Sequence, residues 1–354
     1  MIICRTPFRI SFFGGGTDYP AWYRSHGGAV LATTIDKYCY LTCRYLPPFF
    51  EHRFRVVWSE IENRQSVREI GHPAVREVLL YLNMERGVEI HHDGDLPARS
   101  GMGSSSAFVV GLLHALYALK GYMPSKRKLA LESIYIEQER LKEIVGSQDQ
   151  VLAAYGGFNY ITFPPDGEIS IRPVTIPQER QKELNDHLML FYTGIKRTAS
   201  HIAESYVLAV DERRSQLHIM KDLVEESLSI LNTGRDMSAF GKLLHEAWQA
   251  KRSLSAHISN SQVDEIYKQA ISAGAIGGKL IGAGGGGFML LFVPPSKQNR
   301  VREQLNKLIY VPFKFEPSGS QIIFFDPEAD YLAEEEARAK QSIAAFRELT
   351  RTSI

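Results

Sequence analysis

The stretch Leu96-Pro-Ala-Arg-Ser-Gly-Met-Gly-Ser-Ser-Ser-Ala107 sets two glycines and three consecutive serines in front of a nearly all-apolar run that ends at Leu119. That run is longer than a typical buried strand and richer in Ala and Leu than in β-branched residues, so it reads as a buried helix, stopped by Gly121 and Pro124. The first turn of a helix leaves N–H groups without intrahelical partners and carries partial positive charge, and Gly101 and Gly103 let that backbone approach an anion closely. Ser104, Ser105 and Ser106 can cap the helix or reach a metal ion. On composition alone, a serine-capped glycine turn with no ligand is an equal reading. The pattern lacks the Gly-Lys-Ser/Thr ending of a Walker loop. The polar residues His92, Asp93 and Asp95 ahead of it argue against the strand that a dinucleotide fingerprint requires.

Outward from this loop, residues 1–57 mix short β-type runs (Cys39 to Tyr45, Phe54 to Val57) with glycine turns at Gly14 to Gly16 and Gly27 to Gly28. A second helical pattern runs from Lys126 to about Val145 and ends at Gly146. A strand is expected at Phe158 to Phe163, followed by the turn Pro164-Pro165-Asp166-Gly167. The chain turns polar near Gln178 to Asn185, which places a boundary between an N-terminal domain, 1–180, and a C-terminal domain, 181–354. Beyond it come a strand at Leu188 to Tyr192 and helices at Ser200 to Val210, Glu212 to Leu231, Ser238 to Leu254 and Ser261 to Ala273. A strand at Phe288 to Val293 and a last amphipathic helix from about Ala329 complete the pattern. Segregated strands and helices predict an α+β class.

Composition narrows the function. Hydrophobic residues make up 44% and charged residues 23%, an ordinary globular balance, and 41 Lys and Arg nearly cancel 40 Asp and Glu. No basic block of nucleic-acid-binding length stands out, so no nucleic acid partner is expected. Cys39, Leu41 and Cys43 share one face of an alternating segment and read as buried thiols, and three cysteines are too few for a recognisable zinc site. The first ten residues hold Arg5, Pro7 and Arg9 instead of a signal-peptide core, and the apolar run Phe288 to Val293 is far shorter than a membrane span. A cytoplasmic protein with no membrane partner is expected.

The serine loop resembles the Pro-x-x-x-Gly-Leu-Gly-Ser-Ser-Ala phosphate loop of the GHMP kinases, with Met102 in the Leu position. Two further segments resemble that family's other motifs. Pro7-Phe-Arg-Ile-Ser-Phe-Phe-Gly-Gly-Gly-Thr-Asp-Tyr19 is similar to its substrate-binding motif, and Lys279-Leu-Ile-Gly-Ala-Gly-Gly-Gly-Gly-Phe-Met289 to its third, a glycine hairpin that braces the phosphate loop. All three occur in order from Pro7 to Met289. The resemblance implies a two-domain α+β fold with nucleotide and substrate in the cleft between domains, and ATP and Mg²⁺ as cofactors. Arg99, Ser100, Gly101, Met102, Gly103, Ser104, Ser105 and Ser106 would then hold the nucleotide phosphates.

In phosphoryl transfer a protein mainly positions groups and neutralises charge. By position in the motifs, Ser106 and Glu137 would hold Mg²⁺, with Glu139 as the rival ligand. Asp149, released from the helix face by Gly146, would accept or orient the hydroxyl proton. Arg9 would stabilise the transferred phosphoryl group or keep Asp149 ionised; read without the resemblance, it is a surface residue on an edge strand. Asp18 would bind sugar hydroxyls, with Gly15, Gly16, Thr17, Tyr19 and Gly285 around the substrate. Where galactokinases read Gly-Glu-His-Thr-Asp-Tyr, this chain reads Gly14-Gly-Gly-Thr-Asp-Tyr19, a form more similar to the bacterial heptose-phosphate kinases and the fucokinase kinase domains. That form implies D-glycero-D-manno-heptose 7-phosphate as acceptor, phosphorylated at its anomeric hydroxyl. The alternatives are a free sugar such as fucose or galactose, or a nucleotide-binding sensor without catalysis. A phosphorylated acceptor needs a second anion site, for which Lys196-Arg197 ahead of a helix, and Lys251 on the apolar stripe of another, are the candidates, though a snorkelling lysine explains Lys251 equally. A homodimer is left open.

Overall fold

The computed structural model describes residues 1–98, 100–195 and 213–326, with residues 331, 333, 334, 336 and 337. Arg99, Lys196, Arg197, the helix expected at Ser200 to Val210 and most of the one expected from Ala329 lie outside these described residues.

The N-terminal part runs β1 (Ile2–Phe13), α1 (Pro20–His26), β2 (Gly28–Tyr45), β3 (Phe54–Val57), β4 (Ile61–Arg64), α2 (Pro73–Tyr81), β5 (Val88–Gly94), α3 (Ser104–Leu119), α4 (Lys126–Tyr135), α5 (Gln148–Tyr155), β6 (Phe158–Phe163) and β7 (Ser170–Pro173). The chain continues through α6 (Gln178–Asp186), β8 (Leu188–Tyr192), α7 (Arg214–Asn232), α8 (Ser238–Arg252), α9 (Ser261–Ala273), β9 (Gly277–Leu280), β10 (Phe288–Phe292), α10 (Gln298–Gln304), β11 (Ile309–Val311) and β12 (Gln321–Phe325). An eight-stranded sheet has the order β12-β1-β2-β5-β3-β4, with β6 also on β2 and β7 on β6; a four-stranded sheet has the order β11-β8-β10-β9. All these pairings are antiparallel except β3 with β5. The α+β class follows.

β2 organises the large sheet. Its 18 residues pair β1 along most of their length, β6 through Gly28 to Thr33 and β5 through Cys39 to Tyr45. Only the stretch from Tyr38 to Arg44 alternates between buried and partly buried residues, which is why sequence periodicity marks Cys39 to Tyr45 and misses the fully buried first half. Cys4, Cys39 and Cys43 are buried free thiols, and burial pushes the Cys4 thiol up to about 11.

α3 is buried nearly all round, as its composition predicts: it touches β1 and β2 of the sheet and α2, α4 and α5. Phe12 and Phe13 of β1 pack edge-on against Phe240 of α8, which in turn meets Phe292 of β10, so both sheets share one core. β12 returns from the end of the chain to pair with β1, so a cut at residue 180 does not separate the strands of the two sheets.

Two local expectations are corrected. The helix from Lys126 does not continue to Val145: α4 ends at Tyr135, a single π-helical turn spans Ile136–Arg140, and Lys142 takes a left-handed conformation. A strand, β5, does precede the serine loop, contrary to the polar reading of His92 and Asp93. Its polar residues are tolerated because that end of the strand is only partly buried, and residues 95–103 separate it from α3.

Candidate active site

Strand β1 delivers the first catalytic candidate. Its pairing with β2 is irregular between Pro7 and Phe8 and again between Ser11 and Phe13, so the backbone around Arg9 is offset from a plain ladder. The Arg9 N–H bonds the Met102 carbonyl at 3.1 Å, tying β1 to the serine loop. The buried Arg9 guanidinium donates from Nε to Asp149 Oδ1 and from Nη2 to Asp149 Oδ2, both at 2.7 Å, and from Nη1 to the Gly101 carbonyl at 2.6 Å. Bidentate geometry of this kind fixes the carboxylate's orientation as well as its charge partner. Arg9 is therefore an interior residue and not a surface one.

Gly103 caps α3 in a left-handed conformation at φ 74° and offers no side-chain cap. A β-carbon there would lie 3.2 Å from Arg9 Cγ and 3.4 Å from Asp149 Oδ2, so the glycine lets the helix end settle directly over the Arg9–Asp149 pair. The cap position thus falls to Gly103 and not to a serine. Ser106 Oγ instead donates to Glu137 Oε2 at 2.8 Å. The glycine-rich third segment closes against this loop: Gly287, at φ 97°, sits where a β-carbon would lie 2.2 Å from the Ser100 carbonyl oxygen. Thr193 bonds the Gly287 carbonyl through both N–H and hydroxyl. On α3, Phe108 stacks with His72 and meets His92 edge-on, and Trp58 packs edge-on against His72.

The π turn points Glu137 inward and leaves Glu139 outside. Glu137 is fully buried, accepts from Ser106 and from Gln150 Nε2, and keeps Oε1 without a partner. Burial, with the nearby Glu143 and Asp149 charges adding to it, pushes its carboxyl up to about 8. Glu139 pairs with Lys142 at 3.3 Å and its side chain is 56% exposed. No group of three or more His, Cys, Asp or Glu converges among the described residues. One carboxylate and one hydroxyl beside the serine loop nevertheless fit a magnesium ion, which takes few protein ligands and completes its shell with water and phosphate oxygens. The orphaned Oε1 is the observation that suits it.

Asp18 follows the Gly14 to Gly16 turn and is buried. Oδ1 accepts from the Gly16 N–H at 2.9 Å; Oδ2 accepts from Gln148 Nε2 at 2.9 Å and the Gln148 N–H at 3.3 Å. Burial, and then the charge of Asp149, push its carboxyl upward despite these bonds. Gly146 has a different part from the one expected: a β-carbon there would lie 1.9 Å from Asp18 Oδ2, so glycine is needed for the close approach of this carboxylate, and Asp149 sits in the first turn of α5.

Arg9, Gly101, Met102, Gly103, Ser106, Glu137 and Asp149 thus come together, with Asp18 and the Gly15 to Gly16 turn next to them. Thr17 faces inward, its hydroxyl bonded to the Gly14 and Ala29 carbonyls, and Tyr19 sits at the N-cap of α1. Gly285 bonds the Ile258 carbonyl and accepts from Asn260. Lys251 does not face an open cleft: it is buried, with Nζ on the carbonyls of Leu280 and Gly282, where it braces the glycine-rich segment. Sequence reasoning passed over Ser11, Gln148 and Lys279. Lys279, buried in β9, donates to the Phe12 carbonyl at 2.7 Å, and burial with the Arg9 charge pushes its ammonium down to about 7. A charged residue opening an otherwise small and apolar segment was the available signal.

Comparison with known proteins bears on the family and the fold. Residues 70–157 match the family description "GHMP kinases N terminal domain", and residues 219–311 match "GHMP kinases C terminal". The chain is 29% identical over 315 residues to the D-glycero-alpha-D-manno-heptose 7-phosphate kinase of Campylobacter jejuni, covering 86% of this chain and 92% of that one. It is 24% identical over 330 residues to the bifunctional fucokinase/GDP-fucose pyrophosphorylase of Arabidopsis thaliana, covering 85% of this chain and 31% of the longer protein. The crystal structure of a D-glycero-D-manno-heptose 1-phosphate kinase from Bacteroides thetaiotaomicron superposes with a TM-score of 0.75 at 23% identity, over 91% of this chain and 98% of that one.

Proposed function

Because the chain belongs to the GHMP kinases, ATP-dependent phosphotransferases with an alcohol acceptor, we propose that it phosphorylates the anomeric hydroxyl of D-glycero-D-manno-heptose 7-phosphate to give the 1,7-bisphosphate. The observation that carries the chemistry is the Arg9–Asp149 pair held beneath the N-terminus of α3. The acceptor rests on the likeness to the Campylobacter enzyme over most of both chains, and on the glycines that stand where galactokinases carry Glu-His.

In this reading the backbone N–H groups from Gly101 to Ser106 hold the ATP phosphates at the positive end of α3. Asp18 orients the sugar. Asp149 takes the proton from the acceptor hydroxyl as its oxygen bonds the terminal phosphorus and the bond to the leaving ADP breaks. Arg9 has five N–H donors and the three bonds above occupy three of them, so two remain for the transferred phosphoryl oxygens. Ser106 and Glu137 would hold Mg²⁺, which when bound neutralises phosphate charge. Three buried free thiols suit the reducing cytosol.

A second reading, a kinase for an unphosphorylated sugar, is favoured by one observation: the Lys251 ammonium binds backbone carbonyls. Thr193, Gly194 and Ile195, just before Lys196, line an open surface depression whose other wall includes Glu265, an acidic group unsuited to a phosphate. Coupled ADP release with heptose 7-phosphate, free D-glycero-D-manno-heptose, L-fucose and D-galactose separates the readings. Turnover of the heptose phosphate at least tenfold above the others is expected; preference for a free sugar replaces the first reading with the second, and turnover of none overturns both.

A further inference from the structure

Two buried polar groups next to Asp18 have no partner. Ser11 and Gln148 are 6% and 7% exposed, and neither Ser11 Oγ nor Gln148 Oε1 makes a hydrogen bond. The amide of Gln148 is held in one orientation, since Nε2 donates to Asp18 Oδ2, so Oε1 is left as an acceptor aimed away from that carboxylate. Both side chains border the same small space: a β-carbon on Gly15 would lie 3.3 Å from Ser11 Oγ and 3.6 Å from Gln148 Nε2. Gly15 does not have a positive φ, so its backbone does not require glycine. What the missing side chain spares is a tight contact with the Ser11 hydroxyl.

We infer that Ser11 and Gln148 form a hydroxyl-recognition subsite beneath the Gly14 to Gly16 turn, which takes one hydroxyl of a sugar acceptor beside Asp18. A hydroxyl is donor and acceptor at once: it donates to Gln148 Oε1 and accepts from Ser11 Oγ. A phosphate would face the carboxylates of Asp18 and Asp149, and an ammonium would leave the Ser11 donor unanswered. Buried polar groups left unpaired are costly, so a site of this kind rejects acceptors that lack the matching hydroxyl. The inference rests on the kinase reading above for the class of ligand, and on these two orphaned groups for the place.

The test is calorimetric binding of D-glycero-D-manno-heptose 7-phosphate, L-fucose and D-galactose, each with a non-hydrolysable ATP analogue and Mg²⁺ present, to the wild type, Ser11→Ala and Gly15→Ala. A neutral hydrogen bond lost at Ser11 weakens the bound sugar about three- to tenfold, and Gly15→Ala, whose methyl group crowds the Ser11 hydroxyl, weakens it further. Affinity for the ATP analogue and the melting temperature stay near those of the wild type. Unchanged sugar affinity in both variants overturns the inference and means that water satisfies these groups, while the kinase reading stands. Binding of none of the three sugars also overturns it. Binding of fucose or galactose alone, weakened in the variants, upholds the subsite and overturns the heptose phosphate as acceptor.

Discussion

Arg9 and Asp149, 140 residues apart in the chain, face each other through two parallel hydrogen bonds of 2.7 Å. Arg9 also holds the Gly101 carbonyl at 2.6 Å, so one guanidinium links the acid-base candidate to the loop expected to carry the phosphates. A displacement of either partner misaligns both.

Asp149→Asn is expected to cut turnover by about a hundredfold or more while leaving the Kd for ATP nearly unchanged, because the amide keeps the shape and loses the proton acceptor. Arg9→Ala should cost both activity and about 2–4 kcal/mol of stability, less than the full cost of breaking a buried pair because Asp149 is partly exposed. Chemical denaturation and steady-state kinetics read the two effects. Near-normal turnover in Asp149→Asn would remove the assignment.

Glu137 carries a pH signature. Its carboxyl stands at about 8 in the metal-free fold against an ordinary 4.5, so between those values the folded chain holds a proton that the unfolded chain has released. Metal-free stability from this group is therefore full below about pH 4.5 and is lost as pH rises through about 8. Glu137→Gln should flatten that slope in thermal melts. It should also raise the Mg²⁺ concentration needed for activity, whereas Glu139→Gln should leave it unchanged.

Lys279 has the opposite slope. Its ammonium is pushed from 10.5 to about 7, so within that range the unfolded chain binds the extra proton and stability rises with pH. Lys279→Met should remove the rise between pH 7 and 10. It should also be more destabilising at pH 9 than at pH 6, since at the higher pH the variant relieves less of the cost of burying the ammonium while still losing the hydrogen bond to the Phe12 carbonyl. An identical wild-type and variant pH profile would contradict this account.

Gly287→Ala forces a β-carbon against the Ser100 carbonyl at a positive φ. It should weaken ATP binding tenfold or more, because the loop must shift, with a smaller effect on acceptor binding. Measured nucleotide affinity decides.

Lys251→Ala should lower the activity toward phosphorylated and unphosphorylated acceptors by the same factor. The ammonium braces Leu280 and Gly282, and its loss loosens the glycine-rich segment for every substrate. A selective loss with the phosphorylated acceptor would restore Lys251 to an anion site.

Much of the fold was legible in local pattern. α3, α8, α9, β6, β8 and β10 fall within a few residues of their expected positions, because each has a clear period or a bounding glycine or proline. The first half of β2 was not legible, since a strand buried on both faces shows no alternation. Nor was the π turn, whose extra residue leaves no mark on composition. The glycine motifs could be read because close backbone approach and left-handed φ admit few other residues, as at Gly103 and Gly287.

By itself, then, the sequence determined the kinase class, the glycine-serine loop ahead of a buried helix and the short roster of charged residues around it. Each of those signals lives in a window of about a dozen residues, where backbone conformation and helix-end electrostatics are local properties. Tertiary structure alone decided how those residues are used. It put Arg9 inside on Asp149, turned Glu137 in and Glu139 out, gave Gly146 to the approach of Asp18, bound Lys251 to carbonyls and left Ser11 Oγ and Gln148 Oε1 unpaired near Gly15. A side chain's partner is set by packing between strands and helices far apart in the chain, and no local pattern records which of its neighbours it will meet.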